Sequence, residues 1–180
     1  MLYNDVSAWT SSAVIRLRIE PRRLVVIHTT QGYNSLAWLQ GASCLSGKCV
    51  SADFLINRLG WVYQIGRPGH YTFHTGTARW QFLQDPDYTL NQSAIGIELE
   101  CHEERRQRIN NLQYIACAAL CRALVAAHDI IPDGIVTHAM VALPRGRKSD
   151  PKYFDNYVFG RELAHPSEEA ARLKFPEVLP

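Results

Sequence analysis

The chain has 180 residues, 47% of them hydrophobic and 20% charged, which is the balance of one globular domain rather than two. A chain of this length buries about 70% of the surface that its unfolded form exposes, so it needs neither metal nor disulfide merely to hold a core. Nineteen basic and seventeen acidic side chains give a formal charge of +2, which argues against a nucleic-acid scaffold and predicts no nucleic-acid partner.

Membrane insertion and secretion by a signal peptide are not expected either. The longest apolar stretches are a few residues long or are interrupted, as Arg122 and Asp129 interrupt the stretch that begins near residue 115. Residues 1–18 lack a basic region followed by an apolar one, so we expect synthesis in the cytoplasm without a signal peptide. Five cysteines without a CxxC pair argue against a zinc site of four thiolates.

The first half of the chain predicts a strand, a short helix, a loop and a hairpin. The strand is a β-branched run of the kind that is buried on both faces, and His28 lies where it ends. The hairpin is the clearest element, because Gly60 supplies the positive φ of a tight turn between two apolar runs. In chain order the predicted elements are a strand over 24–27, a helix over 35–40, a loop over 41–48 and hairpin strands over 54–57 and 61–65.

A long loop over 66–92 follows, and long loops inside compact domains are usually functional. Its aromatic residues either stack on sugar rings or pin the loop down; they are Tyr71, Phe73, Trp80, Phe82 and Tyr88. Residues 93–100 then alternate between apolar and other side chains, which predicts a half-buried strand that presents its even positions to one face.

Apolar residues at spacings of three and four predict a long amphipathic helix from about 110 to 129, begun by Asn110 or Asn111 and stopped by Pro132. A brief strand over 135–137 follows and ends at His138. A hairpin, a strand, a helix and a further strand predict the α/β class, with a single domain over residues 1–180 and a central mixed β-sheet flanked by helices.

Two histidines, His28 and His138, follow apolar strands directly, and the carboxyl edge of a mixed sheet is where such folds commonly bind ligands. In the extended segment before Pro151, Lys148 and Asp150 share a face and can point into one cleft. On the residues alone, Glu98 either joins this site or is the solvent-facing half of its strand.

The sequence resembles the zinc-dependent N-acetylmuramoyl-L-alanine amidases of type 2, a family that includes AmpD, phage lysozyme-type amidases and peptidoglycan-recognition proteins. Five segments carry the resemblance, occur in the family's order and together span residues 25–151. They are VVIHTT at 25–30, SADFLINRLGWVYQI at 51–65, FHTG at 73–76, SAIGIELE at 93–100 and VTHAMVALPRGRKSDP at 136–151.

The resemblance implies a role for each matching residue. Two imidazoles and one carboxylate suit a catalytic Zn²⁺, one per chain, that keeps an open position for water. The implied roles are zinc ligation by His28, His138 and Asp150, proton transfer by Glu98, oxyanion stabilisation by Lys148, and substrate binding by His74, Arg145 and Arg147.

The sequence also departs from the family at one segment and keeps a further cysteine pair. Asp53 stands where many members have histidine, and Ala52 stands where the phage lysozyme-type members have a catalytic tyrosine, so Glu98 is left to carry the proton transfer alone. Cys44 and Cys49 are similar to a disulfide loop of the peptidoglycan-recognition proteins, although the spacing differs. A disulfide there would indicate a site of action outside the cytosol.

The activity that the resemblance implies is hydrolysis of the amide between N-acetylmuramic acid and the L-alanine of the peptidoglycan stem peptide. We expect a monomeric, bacteriolytic phage or prophage endolysin that reaches the cell wall after holin-type release. The alternatives are a cytosolic AmpD-like amidase that recycles anhydro-muropeptides, a recognition domain that binds without cleaving, and a secreted antibacterial toxin.

Overall fold

The computed structural model describes residues 1–80 and 90–176. Eight strands are defined in these ranges: β1 Tyr3–Asp5, β2 Ile15–Leu17, β3 Leu24–Thr29, β4 Phe54–Ile56, β5 Val62–Gln64, β6 His70–Thr72, β7 Ala94–Leu99 and β8 Ile135–Thr137. Six α-helices accompany them: α1 Ser35–Leu39, α2 Leu90–Ser93, α3 Asn111–His128, α4 His138–Val141, α5 Asn156–Ala164 and α6 Glu168–Ala171. Phe82 and Tyr88 of the predicted aromatic loop lie outside the described residues.

Six of the strands form one mixed sheet in the order β1-β5-β4-β7-β3-β8. Its neighbours are parallel except β4 and β5, the antiparallel hairpin whose turn contains Gly60 at φ 72°. Strands β2 and β6 pair separately. Helices cover both faces of the large sheet, so the prediction of an α/β fold with a central mixed sheet is confirmed.

Helix α3 packs along one face of the sheet and forms the largest core cluster with it. The helix begins at a capping box, in which the Asn110 side chain accepts from the backbone N–H of Gln113 while the Gln113 side chain accepts from that of Asn110. It ends four residues before Pro132, because Asp129 takes the left-handed conformation at φ 51°. Asn110 is therefore the predicted cap, whereas Pro132 is not the stop.

Three further predictions need correction. Strand β7 is buried on both faces rather than half-buried, because β3 and β4 flank it within the sheet and helices cover it on either side. Strand β3 extends to Thr29, so His28 lies within it rather than at its end, whereas β8 ends before His138 as predicted. The predicted loops also contain regular structure, namely β6, α2 and one 3₁₀ helix over Ala42–Ser46.

The C-terminal region is helical. Helices α5 and α6 pack on α3, and the buried side chain of Phe159 joins the core beneath them. Asp155 caps α5 by accepting from two backbone N–H groups of its first turn. Within the described residues, no helix combines the length and apolarity that crossing a membrane requires.

Candidate active site

The site lies at the carboxyl edge of the sheet, where three parallel strands end side by side. His28 and Glu98 are register partners on β3 and β7, so their side chains lie on the same face of the sheet. His138 follows β8, which pairs with β3 on its other side. The topology therefore brings together three predicted residues that lie far apart in the chain.

One possible ligand atom from each of His28, His138 and Asp150 meets the others within 4.8 Å. Oδ2 of Asp150 lies 3.0 Å from Nδ1 of His138 and 3.5 Å from Nδ1 of His28. Neighbouring ligands of a tetrahedral zinc ion are about 3.3 Å apart, given bonds of about 2.0–2.1 Å. The spacing of these donors therefore fits one zinc ion with a fourth position left for water or substrate.

The far nitrogen of each imidazole contacts the segment that follows β6. Nε2 of His28 lies 3.0 Å from Nδ1 of His74, and Nε2 of His138 lies 3.0 Å from the carbonyl oxygen of Thr75. A carbonyl only accepts, so Nε2 of His138 is the donor to Thr75, and its Nδ1 is left facing the Asp150 carboxylate. Nδ1 of His138, Nδ1 of His28 and Oδ2 of Asp150 thus face one another, as the donor atoms of one metal ion would, while other groups hold the far nitrogens.

The electrostatics agree with this arrangement. Burial lowers the pKa of His28 from 6.5 to about 4, so its imidazole is neutral at physiological pH. Burial alone would raise the pKa of Asp150, but its contacts with His138 and His28 outweigh burial and hold the pKa below its ordinary value. Neutral imidazole and ionised carboxylate are the forms that bind zinc.

Residues 74–77 are themselves held in place from two sides. Oδ1 of the buried Asn91 accepts from the backbone N–H groups of His74 and Thr75 at 3.1 and 2.9 Å. From the other side, the guanidinium of Arg147 donates to the carbonyls of Thr75 and Thr77 at 3.0 and 2.7 Å. One anchored segment thus supports both candidate metal-binding histidines.

His74 fits into this position because Gly96 has no side chain. A Cβ atom on Gly96 would lie 2.6 Å from Cγ of His74, closer than real contacts allow. The backbone N–H of Gly96 donates to Asp53, whose carboxylate also forms a buried ion pair with Arg22 at 3.1 Å. Asp53 therefore supports the backbone of β7 beneath His74.

Glu98 and Lys148 lie at the same centre. Oε2 of Glu98 is buried and has no hydrogen-bond partner among the residues that the structure describes. Burial, together with the negative charge of Asp150, raises the pKa of Glu98 to about 8, while the charge of Lys148 opposes that rise. Lys148 itself is exposed. A carboxyl with one buried, unpaired oxygen next to a candidate metal centre is in the environment of a functional acid or base.

The remaining predicted residues occupy different settings. His74 is buried and contacts the imidazole of His28, which the sequence did not predict. Its contact with substrate stays a prediction. Arg147 holds backbone carbonyls, whereas Arg145 is exposed on the same loop. Cys44 and Cys49 form the disulfide that the resemblance implied. The sequence did not predict Thr75 or Asn91. Thr75 contacts His138 through its backbone carbonyl, and the Asn91 side chain accepts from backbone N–H groups, so neither has a local sequence signature.

Two imidazoles and a carboxylate thus meet at the carboxyl edge of a mixed sheet. This arrangement is typical of α/β enzymes with a catalytic metal centre. A family model described as N-acetylmuramoyl-L-alanine amidase matches residues 18–153. The chain therefore belongs to that amidase family and is an enzyme of peptidoglycan hydrolysis.

Solved structures agree with the family match. The chain is 25% identical to AmpD with a TM-score of 0.70, over 88% of this chain and 92% of that one. It is 24% identical to AmiD from E. coli, solved with anhydro-N-acetylmuramic acid-L-Ala-D-gamma-Glu-L-Lys, with a TM-score of 0.64 over 78% of this chain and 57% of that one. The Ph2119 endolysin from the Thermus scotoductus MAT2119 bacteriophage shares the fold at 14% identity and a TM-score of 0.64, over 89% of this chain and 98% of that one. No curated protein sequence matches the chain significantly.

Proposed function

We propose that the protein is a zinc-dependent amidase that cleaves the bond between the lactyl group of N-acetylmuramic acid and the L-alanine of the stem peptide. The observation that carries the proposal is the convergence of one possible ligand atom from each of His28, His138 and Asp150 within 4.8 Å of one another. In this proposal residues 1–180 form one catalytic domain that acts as a monomer and binds one zinc ion.

The chemistry divides among a few residues of the chain. His28, His138 and Asp150 would hold the metal, which supplies a Lewis acid and lowers the pKa of a water to about 7. Glu98 accepts a proton from the attacking water and returns it to the leaving amine, a contribution of about 10²- to 10⁴-fold. The ammonium of Lys148 stabilises the negative charge that develops on the carbonyl oxygen.

Substrate binding is assigned to the basic rim of the site. Stem peptides carry carboxylates, and the exposed Arg145 offers a positive charge near the cleft. Arg147 shares that rim while its guanidinium holds residues 74–77, so its charge both attracts the substrate and supports the site. In this scheme His74 contacts the substrate from the edge of its buried position.

The biological setting that we propose is degradation of the bacterial cell wall by a phage or prophage endolysin, released from the cytoplasm by a holin. The Cys44–Cys49 disulfide supports action outside the cytosol, because such bonds persist in oxidising surroundings. The shared fold with a phage endolysin over 98% of that chain is consistent with this setting. All three metal-binding residues are present, which favours catalysis over recognition alone.

A recycling amidase is the second candidate. The likeness to AmpD supports it, as does the likeness to AmiD, which was solved with an anhydro-muropeptide. This candidate shares the reaction and differs in its substrate and place of action. An enzyme of this kind would stay in the cytoplasm.

Mass spectrometry of digestion products tests both candidates. Purified protein is incubated with intact sacculi and, separately, with 1,6-anhydro-muropeptides, before and after removal of metal by a chelator. We expect about one zinc per chain, release of free stem peptides, loss of that release on chelation and its return with zinc. Activity that survives thorough chelation would contradict the metal centre. Preference for sacculi supports the endolysin, and preference for the anhydro fragments supports the recycling enzyme.

A further inference from the structure

A second acidic residue near the site is buried without being part of the proposed chemistry. Glu103 lies on a single 3₁₀ turn after β7 and is only 6% exposed, whereas Glu104 beside it is exposed. Burying a carboxylate is costly unless hydrogen bonds satisfy its oxygens. Both oxygens of Glu103 are satisfied, and their partners lie on two separate segments of the chain.

The two partners belong to the segments that carry candidate metal ligands. Oε2 of Glu103 accepts from the side-chain amide of Gln31, three residues after His28, at 2.6 Å. Oε1 accepts from the backbone N–H of Lys152, two residues after Asp150, also at 2.6 Å. The Glu103 carboxylate thus joins the segment after β3 to the loop that carries Asp150.

The joined residues are held in defined conformations. Gln31 adopts a left-handed backbone at φ 56°, which few residues other than glycine do without support, and its amide also donates to the Thr29 hydroxyl. On the other side, the backbone carbonyl of Asp150 accepts from the N–H of Ala139, the residue after His138. Through Lys152 and Gln31, Glu103 connects the segment of Asp150 to the segment of His28.

We propose that Glu103 is a positioning residue, which ties the segment after His28 to the segment after Asp150 and so sets the spacing of the proposed metal ligands. The inference rests on the proposed zinc site and adds to it a residue that touches neither metal nor substrate. Residues that orient metal ligands from behind typically change metal affinity 10- to 100-fold when they are removed.

Zinc affinity of the purified, metal-free protein tests the role directly. The dissociation constant for Zn²⁺ is measured by competition with a chromophoric chelator for the wild type, Glu103→Ala, Glu103→Gln and Glu104→Ala. We expect Glu103→Ala to weaken zinc binding about 10- to 100-fold. Glu103→Gln keeps an acceptor for Lys152 and, after rotation of the Gln31 amide, a partner for Gln31, so it should stay within about threefold of the wild type. The exposed Glu104→Ala should match the wild type.

A reciprocal exchange keeps the test decisive if Glu103→Ala fails to fold. Gln31→Glu places two carboxylates in contact, and we expect it to weaken zinc binding at least about 10-fold. Adding Glu103→Gln restores one carboxylate and one amide with their positions exchanged, so the double variant should return to within about threefold of the wild type. A double variant as weak as Gln31→Glu would overturn the proposal.

Two further readouts separate positioning from general stabilisation and from failure of the metal site. If Glu103→Ala lowers the unfolding temperature of the metal-free protein and leaves the zinc dissociation constant unchanged, the residue is structural and the inference is wrong. A wild type that binds no zinc would overturn the proposed metal centre, and the inference with it. If the wild type and Glu103→Ala bind zinc with equal affinity, the inference is wrong and the proposed metal centre stands.

Discussion

The candidate metal ligands come from two regions that differ in how they are held. His28 and His138 are 1% and 3% exposed. His28 lies in β3 and His138 follows the neighbouring strand β8, and their far nitrogens contact residues 74 and 75. Asp150 follows a run of exposed residues over 143–149 and lies outside any helix or strand. The histidine side is therefore positioned by the core of the fold, and the carboxylate side by a small number of hydrogen bonds.

This contrast shows where the site tolerates change. Close packing around the histidines couples their orientation to the stability of the sheet, so a change there affects both folding and binding. The loop of Asp150 is exposed over most of its length, so changes in it can affect metal and substrate while the core stays intact. A substitution on one side can therefore be made with the other side left in place.

Removal of a ligand gives the largest effect and separates the two regions. We expect His28→Ala and Asp150→Ala each to abolish zinc retention and activity, measured by metal analysis and by release of stem peptides. In the metal-free protein, His28→Ala should also lower the free energy of unfolding by about 1–3 kcal/mol, because it leaves buried His74 without its partner. Asp150→Ala removes a carboxylate that both buried imidazoles contact, so it should also lower the free energy of unfolding. The loss should be smaller than for His28→Ala, because the loop of Asp150 is exposed and water can replace those contacts.

The control for this pair is Asp133→Ala, which removes an exposed carboxylate elsewhere. It should leave zinc content, activity and stability as in the wild type. Equal destabilisation by His28→Ala and Asp150→Ala would contradict the division into a core side and a loop side.

Glu98→Gln tests the proton transfer on the core side. The substitution keeps the shape of the side chain and removes its ability to take up a proton, so kcat should fall about 10²- to 10⁴-fold while one zinc per chain is retained. Glu100→Gln, two residues further along the chain, is the matched control, since the Glu100 carboxylate accepts from the backbone of Ser35. Near-normal kcat in Glu98→Gln would move the base to another residue.

Much of the core side was predictable from sequence because its signals are local. The apolar runs of β3 and β8, the hairpin and the spacing along α3 each identify an element without reference to the rest of the chain. Parallel strands that end together then bring His28 and His138 to one edge. The segment that ends at Asp150 was recognised by its resemblance to a family rather than by any pattern of its own.

What escaped prediction depends on contacts between distant segments. Strand β1 has three residues and exists because β5 offers it a partner. His74 can contact His28 only because Gly96, on a different strand, has no side chain. Glu103 joins two loops that lie far from it in sequence. Neither periodicity nor composition contains such information, since both describe only neighbours along the chain.

Two roles of His74 can be tested, namely orientation of His28 and contact with substrate. If it orients His28, His74→Leu should weaken zinc binding about 10- to 100-fold, and His74→Asn, which keeps an acceptor near the position of Nδ1, should weaken it less. If contact with substrate is its main role, His74→Leu should raise KM and leave the zinc dissociation constant unchanged. Chelator competition and steady-state kinetics on the same preparations distinguish the two results.

The pH dependence of stability gives the smallest effect and again concerns the core side. Burial raises the pKa of Glu98 from 4.5 in the unfolded chain to about 8 in the fold. A carboxyl whose pKa rises on folding stabilises the fold fully below its unfolded pKa and loses that contribution as pH rises through the folded value. Metal-free wild type should therefore lose about 1–2 kcal/mol of unfolding free energy between about pH 6.5 and 8 relative to Glu98→Gln.

The chosen window isolates this group from its neighbours. The pKa of His28 is lowered to about 4, so its contribution is complete above its unfolded value of 6.5 and is lost only as pH falls below it. Asp150, whose pKa is held below its ordinary value, is ionised throughout the window. Urea unfolding of both proteins at several pH values measures the difference. Parallel curves for the two proteins would show that the Glu98 carboxyl ionises freely in the fold and would contradict its raised pKa.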